Sequence, residues 1–195
     1  VRYQEASRCY LASRSPDSPK AVGSLGRAFG MALRSKLWPQ ASKLLSEIEA
    51  LKISVLMLAQ WRAQFAGYSG ALDATSRYQE LARLAAALPD ADKARVRTLA
   101  KAGELRAQQR THFADCPGVV ITEVVAGSQA ESLGLQAGDI VLRYQDQCVD
   151  EPAKLTGAEQ KTQPNQQVSL QYIRQDHPQI LNVQGGRIGI VTEDF

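Results

Sequence analysis

The sequence predicts an α+β protein of two domains, a helical domain over residues 1–112 and a β-rich domain over residues 113–195. Up to about residue 109 the chain is rich in Ala, Leu, Arg, Gln and Glu, with apolar residues at helical spacing. After Phe113 it changes to Gly, Val and Ile in short alternating runs. The charge also changes sign: residues 1–115 hold 18 Lys/Arg and 10 Asp/Glu, whereas residues 116–195 hold 5 and 10. These changes indicate two units with different surfaces.

The composition is that of an ordinary globular protein. Of the 195 residues, 44% are hydrophobic and 22% are charged, which excludes a disordered chain, a collagen-type chain and a disulfide scaffold. No apolar stretch reaches the roughly 20 residues that cross a bilayer. The basic residues alternate with acidic ones and form no run with interleaved aromatics, which is typical of solvated helical faces. We therefore expect no nucleic-acid partner and no membrane segment in this chain.

Cysteine and histidine are too sparse to predict a metal site. Cys9, Cys116 and Cys148 are an odd number, lie far apart and include no Cys-x-x-Cys pair. The two histidines, His112 and His177, show no zinc-ligand spacing with them. The sequence thus predicts no metal and no cofactor, and the cysteine pattern favours a reducing compartment, hence a cytoplasmic protein.

The helical half contains a period of 33 residues. The pairs that match at this spacing are Leu25-Gly26 with Leu58-Ala59, Trp38 with Ala71, Ala41 with Ala74, Leu45 with Tyr78, and Ile48 with Leu81. Tyr3, Ala6 and Tyr10 match the second helix of this pattern at a shift of 35. A small residue followed by a large one four positions later allows two helices to approach closely. Pro39 predicts a break between helices near Leu37.

These positions resemble the tetratricopeptide (TPR) family over residues 2–88. Leu25-Gly26 and Phe29 resemble the signature of its first helix, and Trp38, Ala41, Leu45 and Ile48 that of its second. The turn between these helices is longer than is usual in the family, and Arg62 replaces the expected aromatic residue. The resemblance implies a solenoid of α-hairpins with a capping helix over residues 91–109. A generic α-hairpin solenoid is the alternative.

The β-rich half resembles a PDZ domain, especially the bacterial type. Strands are predicted over residues 119–125, 140–144, 168–173 and 180–183, and short helices over 128–133 and 152–161. The resemblance is carried by residues 118–141, in which Gly127-Ser128 ends a strand and caps a helix and Gly138-Asp139 turns into the next strand. It implies a partly open β-barrel with two short helices.

The resemblance also implies a circular permutation and a peptide groove. Residues 180–192 are similar to a first PDZ strand, a glycine-containing loop and the strand that pairs with a bound peptide. The amides of Ile188, Gly189 and Ile190 would receive a carboxylate or a main-chain carbonyl. The candidate site residues are Arg187, Ile188, Gly189, Ile190 and Thr192, with Leu155 and Ala158 of the second helix as the opposite wall. The alternative is a turn and a closing strand with no ligand.

No catalytic arrangement is visible in the chain. His112 and His177 are predicted in exposed loops, and no phosphate-binding loop or nucleophile elbow is present. We therefore predict a protein-interaction or scaffold module rather than an enzyme. Because both ends of the chain look cut, a second hypothesis is a regulatory region of a larger bacterial protease, such as a caspase-like (CHAT) protein. A third is a PDZ-like cap whose groove is filled internally by the helix over residues 91–109.

Overall fold

The computed structural model describes residues 19–51 and 53–195. The chain divides into two compact units, residues 1–81 and 82–195. This division lies before the boundary predicted between residues 112 and 113, because the helix that precedes that boundary packs on the sheet that follows it. The predicted repeat positions Tyr3, Ala6 and Tyr10 lie outside the described residues, as does Cys9.

The first unit is helical. Its helices are α1 (Pro19–Arg34), α2 (Trp38–Glu49), α3 (Val55–Ser69) and α4 (Ala74–Leu84), the last of which runs past the division. The break predicted near Leu37 is confirmed, with Pro39 in the first turn of α2. The Ser54 side chain accepts a hydrogen bond from the Met57 N–H and so caps α3.

The core of this unit lies between α1 and α2. It consists of the buried residues Leu25, Ala28, Phe29, Ala32, Leu33, Ala41, Leu44 and Ile48. The Trp61 ring of α3 lies 6.2 Å from that of Phe29. Two pairs from the 33-residue period, Ala41 with Ala74 and Ile48 with Leu81, are buried at both members. The TPR assignment itself stays a prediction.

The second unit is a helix followed by a sheet with two short helices. Its elements are α5 (Asp90–Gln108), β1 (Val119–Val124), α6 (Gln129–Ser132), β2 (Ile140–Tyr144), β3 (Gln147–Cys148), α7 (Pro152–Lys161), β4 (Gln167–Arg174), β5 (His177–Gln184) and β6 (Ile190–Glu193). The strands pair antiparallel in the order β5-β4-β2-β1-β6, with β3 on β2. The predicted strands and both predicted short helices are therefore present, and the α+β class is confirmed.

Both faces of the sheet are covered. Val119 and Ile121 face a core that includes Leu155 and Ala158 of α7. Val120, between them, faces a second core with Leu99 of α5. This explains the apolar run at the start of β1. It also places α5 on the face opposite α7, so the predicted capping helix covers the sheet and does not fill a groove beside α7.

The end of the chain is held against α5. Phe195 is buried, its ring lies 6.4 Å from that of Phe113, and its carbonyl accepts a hydrogen bond from the Arg106 guanidinium. The Arg106 guanidinium carbon lies 4.4 Å from the centre of the Phe195 ring. Arg95 forms an ion pair with Glu193 at 2.6 Å. These contacts fix β6 along the sheet.

Cys116 and Cys148 form a disulfide, with their Cα atoms 5.6 Å apart. The bond ties the segment before β1 to β3. The sequence analysis, which found the cysteines far apart in the chain, did not predict this bond. The pairing depends on β3 lying beside β2, and a sequence separation of 32 residues does not reveal it.

The described residues contain neither a candidate membrane span nor a candidate metal site. Among them, no helix combines the length and the apolar character needed to cross a bilayer. No group of three or more His, Cys, Asp and Glu side chains in that same part of the chain is arranged to hold a metal ion.

Candidate functional site

Strand β6 lies at one end of the sheet and pairs with β1. Within residues 19–51 and 53–195 no strand pairs with its other side. An unpaired strand edge presents main-chain donors and acceptors to a partner. The direction of the β6 main-chain groups therefore decides what this edge can bind.

Two residues of β6 direct their main-chain groups to the open edge. Ile121 pairs with Thr192, but its N–H donates to the Asp139 carbonyl and its carbonyl accepts from the Gly138 N–H, each at 2.8 Å. The main-chain groups of Ile121 thus point toward β2. Paired residues of an antiparallel ladder either bond to each other or both point away from each other. The Thr192 N–H and carbonyl therefore point away from β1, toward the open edge.

Ile190 faces outward by the same reasoning. It pairs with Val124, and the hydrogen bond beside this pair runs from the Val125 N–H to the Gly189 carbonyl at 2.9 Å. Because bonded and non-bonded pairs alternate along an antiparallel ladder, the pair of Val124 and Ile190 next to this bond has no direct main-chain hydrogen bonds. Ile190 and Thr192 therefore present two N–H and two carbonyl groups at two-residue spacing, as an added strand requires.

The loop before β6 is bonded to the C-terminal part of α7 and the segment after it. Three loop N–H groups donate there: Gly185 to the Gln166 carbonyl at 2.6 Å, Gly186 to Thr162 Oγ1 at 2.9 Å, and Ile188 to Glu159 Oε1 at 3.1 Å. A Cβ on Gly185 would overlap the Gln163 carbonyl oxygen. This close approach explains the glycine and places the loop against α7.

Glu159 is a buried acid at this contact, with 7% of its surface exposed. Burial raises the pKa of its carboxyl group, while the Ile188 N–H and the charge of Arg187 act in the opposite direction. Burial, followed by the charge of Glu159, also raises the pKa of Tyr144. The Tyr144 hydroxyl forms a hydrogen bond of 3.1 Å with Thr162 Oγ1, the atom that also accepts the Gly186 N–H. A polar network thus lies between the loop and α7.

The comparisons with known proteins concern the part of the second unit before this loop. Residues 91–184 match the family model of the PDZ domain. The match supports a PDZ domain. The matched region begins in α5 and ends with β5, so the loop and β6 lie beyond it.

Among solved structures, the chain is similar to the PDZ domain of the SdrC-like protein from Listeria monocytogenes. The two are 18% identical, the alignment covers 38% of this chain and 86% of that chain, and the TM-score is 0.34. No curated protein matches the chain.

The structure places the predicted site residues of the PDZ domain in different surroundings. Leu155, Ala158 and Ile188 are buried in one core cluster, at 3%, 7% and 0% exposure. Their side chains hold the loop on α7 and present no open wall to a ligand. Ile190 packs partly against the same core. Ile188 is thus a core residue, and not the pocket residue that the sequence predicted.

The remaining predicted residues lie around the open edge. The side chain of Arg187 is exposed, and Thr192 is partly exposed. Gly189 has φ of +86°, and a Cβ there would overlap Ser128. What the second unit leaves accessible at this edge is therefore the main chain of Ile190 and Thr192 and the side chain of Arg187.

Sequence reasoning missed Glu159. Its position carried a usable signal, because Glu159 lies four residues after Leu155 and therefore on the same buried face of α7. A charged residue at an inward position of a helix calls for a partner. The partner, the Ile188 N–H, lies 29 residues further along the chain.

Glu159→Gln is expected to flatten the dependence of stability on pH. The folded-state pKa of Glu159 lies above its ordinary value of 4.5, so its stabilising contribution is present below that value and is lost as the pH rises through the raised pKa. Relative to the wild type, the variant should gain stability as the pH rises through this window. Thermal unfolding followed over a pH series measures the effect.

The control for this prediction is Glu151→Gln, which removes the same charge at the other end of α7. Glu159 faces Arg187 from the loop and Tyr144 from β2, and neither is changed in either variant. Parallel profiles for the wild type and Glu159→Gln would contradict the prediction.

Proposed function

We propose that the second unit binds an extended segment of a partner protein by adding it as a strand beside β6. The observation that carries this proposal is the outward direction of the main-chain groups of Ile190 and Thr192, on a sheet that matches the PDZ family. Strand addition is the way in which PDZ domains take their ligands. In this chain β6, which follows β5, takes the part of the peptide-pairing strand.

The chemistry of β6 supports the proposal. Its four residues, Ile-Val-Thr-Glu, include three β-branched side chains and neither proline nor lysine. Proteins commonly protect exposed edges with those two residues or with bulges. The register shift in the ladder with β1 falls between Ile121 and Glu123 on β1, whereas Thr192, Val191 and Ile190 follow one another on β6 without an extra residue, so the outer edge of β6 is suited to pairing.

The proposal extends to a scaffold role, in which the helices of the first unit provide a second protein-binding surface. Support for this comes from the resemblance of α1 and α2 to TPR helices and from the buried pairs at 33-residue spacing. Regulation of a larger protease is the alternative. A coding sequence that continues beyond Phe195 into a peptidase domain would favour the alternative.

Thr192→Pro is expected to weaken peptide binding at least about tenfold, because proline removes an outward N–H donor and adds bulk at the edge. The donor is not used in the ladder with β1, so the sheet should persist. Thr192→Val keeps the N–H and the β-branched shape and is the matched control. The probe is a set of peptides selected on the full chain from a random library, with affinity measured by fluorescence polarisation.

Equal affinity of Thr192→Pro and Thr192→Val for these peptides would refute strand addition at β6. Circular dichroism of both variants shows whether the fold is retained. If Thr192→Pro does not fold, mapping of the bound peptide by amide hydrogen exchange replaces it, and protection that spares β6 would count against the proposal.

A further inference from the structure

The loop before β6 already holds a carboxylate. Glu159 Oε1 accepts the Ile188 N–H at 3.1 Å, and the carboxyl group is almost fully buried beside Leu155 and Ala158. Loop amides at this end of a peptide-binding edge are the natural donors to the terminal carboxylate of a ligand. Here one of them is used by a side chain of the protein itself.

The neighbouring loop amides are also engaged. The Gly185 N–H donates to the Gln166 carbonyl, and the Gly186 N–H to Thr162 Oγ1. A ligand carboxylate that used the amides of Gly185, Gly186 or Ile188 would have to displace acceptors of the chain itself. At Ile188 the exchange would leave the buried carboxylate of Glu159 without its partner, which is unfavourable.

The charges oppose a second carboxylate as well. Two carboxylates that share one site repel each other unless one of them is protonated. Arg187 is the cation that acts on Glu159, and its side chain is exposed to solvent. Solvent screening weakens the attraction that such an exposed cation exerts on a ligand.

An internal segment of a protein meets neither obstacle. It carries main-chain N–H and carbonyl groups for Ile190 and Thr192 and brings no terminal charge to the loop. We infer that this edge takes an internal extended segment of its partner and discriminates against a free C-terminus, with Glu159 as the residue that determines this specificity. The inference rests on the function proposed above.

The test compares one peptide sequence in two forms on the full chain. Random peptides are selected from two libraries, one displayed with a free C-terminus and one fused to carrier sequence at both ends. The best binder is then synthesised as a free acid and as a C-terminal amide. In mildly alkaline buffer we expect the amide to bind at least about tenfold more tightly than the acid, because the acid brings a second carboxylate to the loop that already contacts Glu159.

Glu159→Gln keeps an acceptor for the Ile188 N–H and removes the charge. This variant should reduce the preference for the amide to less than about threefold, because the repulsion between carboxylates is lost. Glu151→Gln also removes one negative charge from the second unit and should keep the wild-type preference for the amide. If Glu159→Gln does not fold, the comparison of acid and amide on the wild type still decides whether the edge discriminates against a free C-terminus, and Glu159→Asp, which moves the carboxylate away from the Ile188 N–H, tests the role of Glu159.

The outcomes separate this inference from the proposed function. If Thr192→Pro abolishes binding but the wild type prefers the free acid, the inference is wrong and strand addition stands. The same holds if Glu159→Gln leaves the preference for the amide unchanged. Selected peptides that are insensitive to Thr192→Pro overturn strand addition itself. A Thr192-dependent preference for the amide that disappears in Glu159→Gln supports both.

Discussion

Arg174→Ala is expected to lower the free energy of unfolding of the second unit by about 3–5 kcal/mol, because it leaves a buried carboxylate without its counter-ion. Asp139 is 2% exposed. Arg174 donates to Asp139 Oδ1 from Nε at 2.8 Å and to Oδ2 from Nη2 at 2.6 Å, a bidentate contact. The Gln136 N–H also donates to Oδ2, at 2.9 Å.

The Arg174 side chain makes two further contacts that alanine would remove. Nη2 donates to the Gly134 carbonyl at 2.8 Å, and the guanidinium carbon lies 5.4 Å from the centre of the Tyr172 ring. The arginine thus joins the end of β4 to the turn between α6 and β2. Its loss should be detected as a lower midpoint in urea unfolding followed by circular dichroism.

Arg143→Ala is the matched control for this prediction. Arg143 lies on β2 and donates to the Asp146 carbonyl at 3.0 Å at the surface, so its removal should cost less than about 1 kcal/mol. Equal decreases in the free energy of unfolding for Arg174→Ala and Arg143→Ala would show that the contact of Arg174 with Asp139 does not stabilise the second unit more than a surface contact does.

The double variant Cys116→Ser/Cys148→Ser is expected to lose about 3.7 kcal/mol of stability relative to the oxidised protein. The estimate follows from the entropy that a cross-link across 32 residues removes from the unfolded chain. Because the bond ties the segment before β1 to β3, the second unit should bear the loss. Chemical unfolding with and without a thiol reductant measures it.

The reductant provides the internal control. It should destabilise the wild type by the same amount and leave the double variant unaffected. Free thiols at both Cys116 and Cys148 in the native protein, detected by mass spectrometry after alkylation, would contradict the disulfide.

Local pattern was sufficient for the elements of the second unit. Helix α7 begins and ends at the predicted residues, Pro152 and Lys161, because proline is favoured in a first helical turn and apolar residues follow at helical spacing. Strand β2 was likewise predicted over its observed length. The edge residues Ile190 and Thr192 came from the resemblance to a PDZ domain and not from local pattern.

Packing partners were not predictable in the same way. The apolar face of α5 shows that something covers it, but it does not show whether that is a neighbouring helix or a sheet. Ile188 was assigned to a pocket because it lies in the loop, yet it is fully buried against α7. Periodicity gives the direction of a side chain relative to its own element, and the element that meets it is set by the fold of the whole chain.

The sequence by itself determined the α+β class and the positions of the strands and short helices. These features depend on residues close to one another along the chain. The tertiary structure decided the division at residues 81 and 82, the Cys116–Cys148 bond and the contact of Glu159 with the Ile188 N–H. The last two join residues about 30 positions apart in the chain, and the first depends on which surface covers α5. Patterns among residues that are close in sequence do not show which distant residues meet in the folded chain.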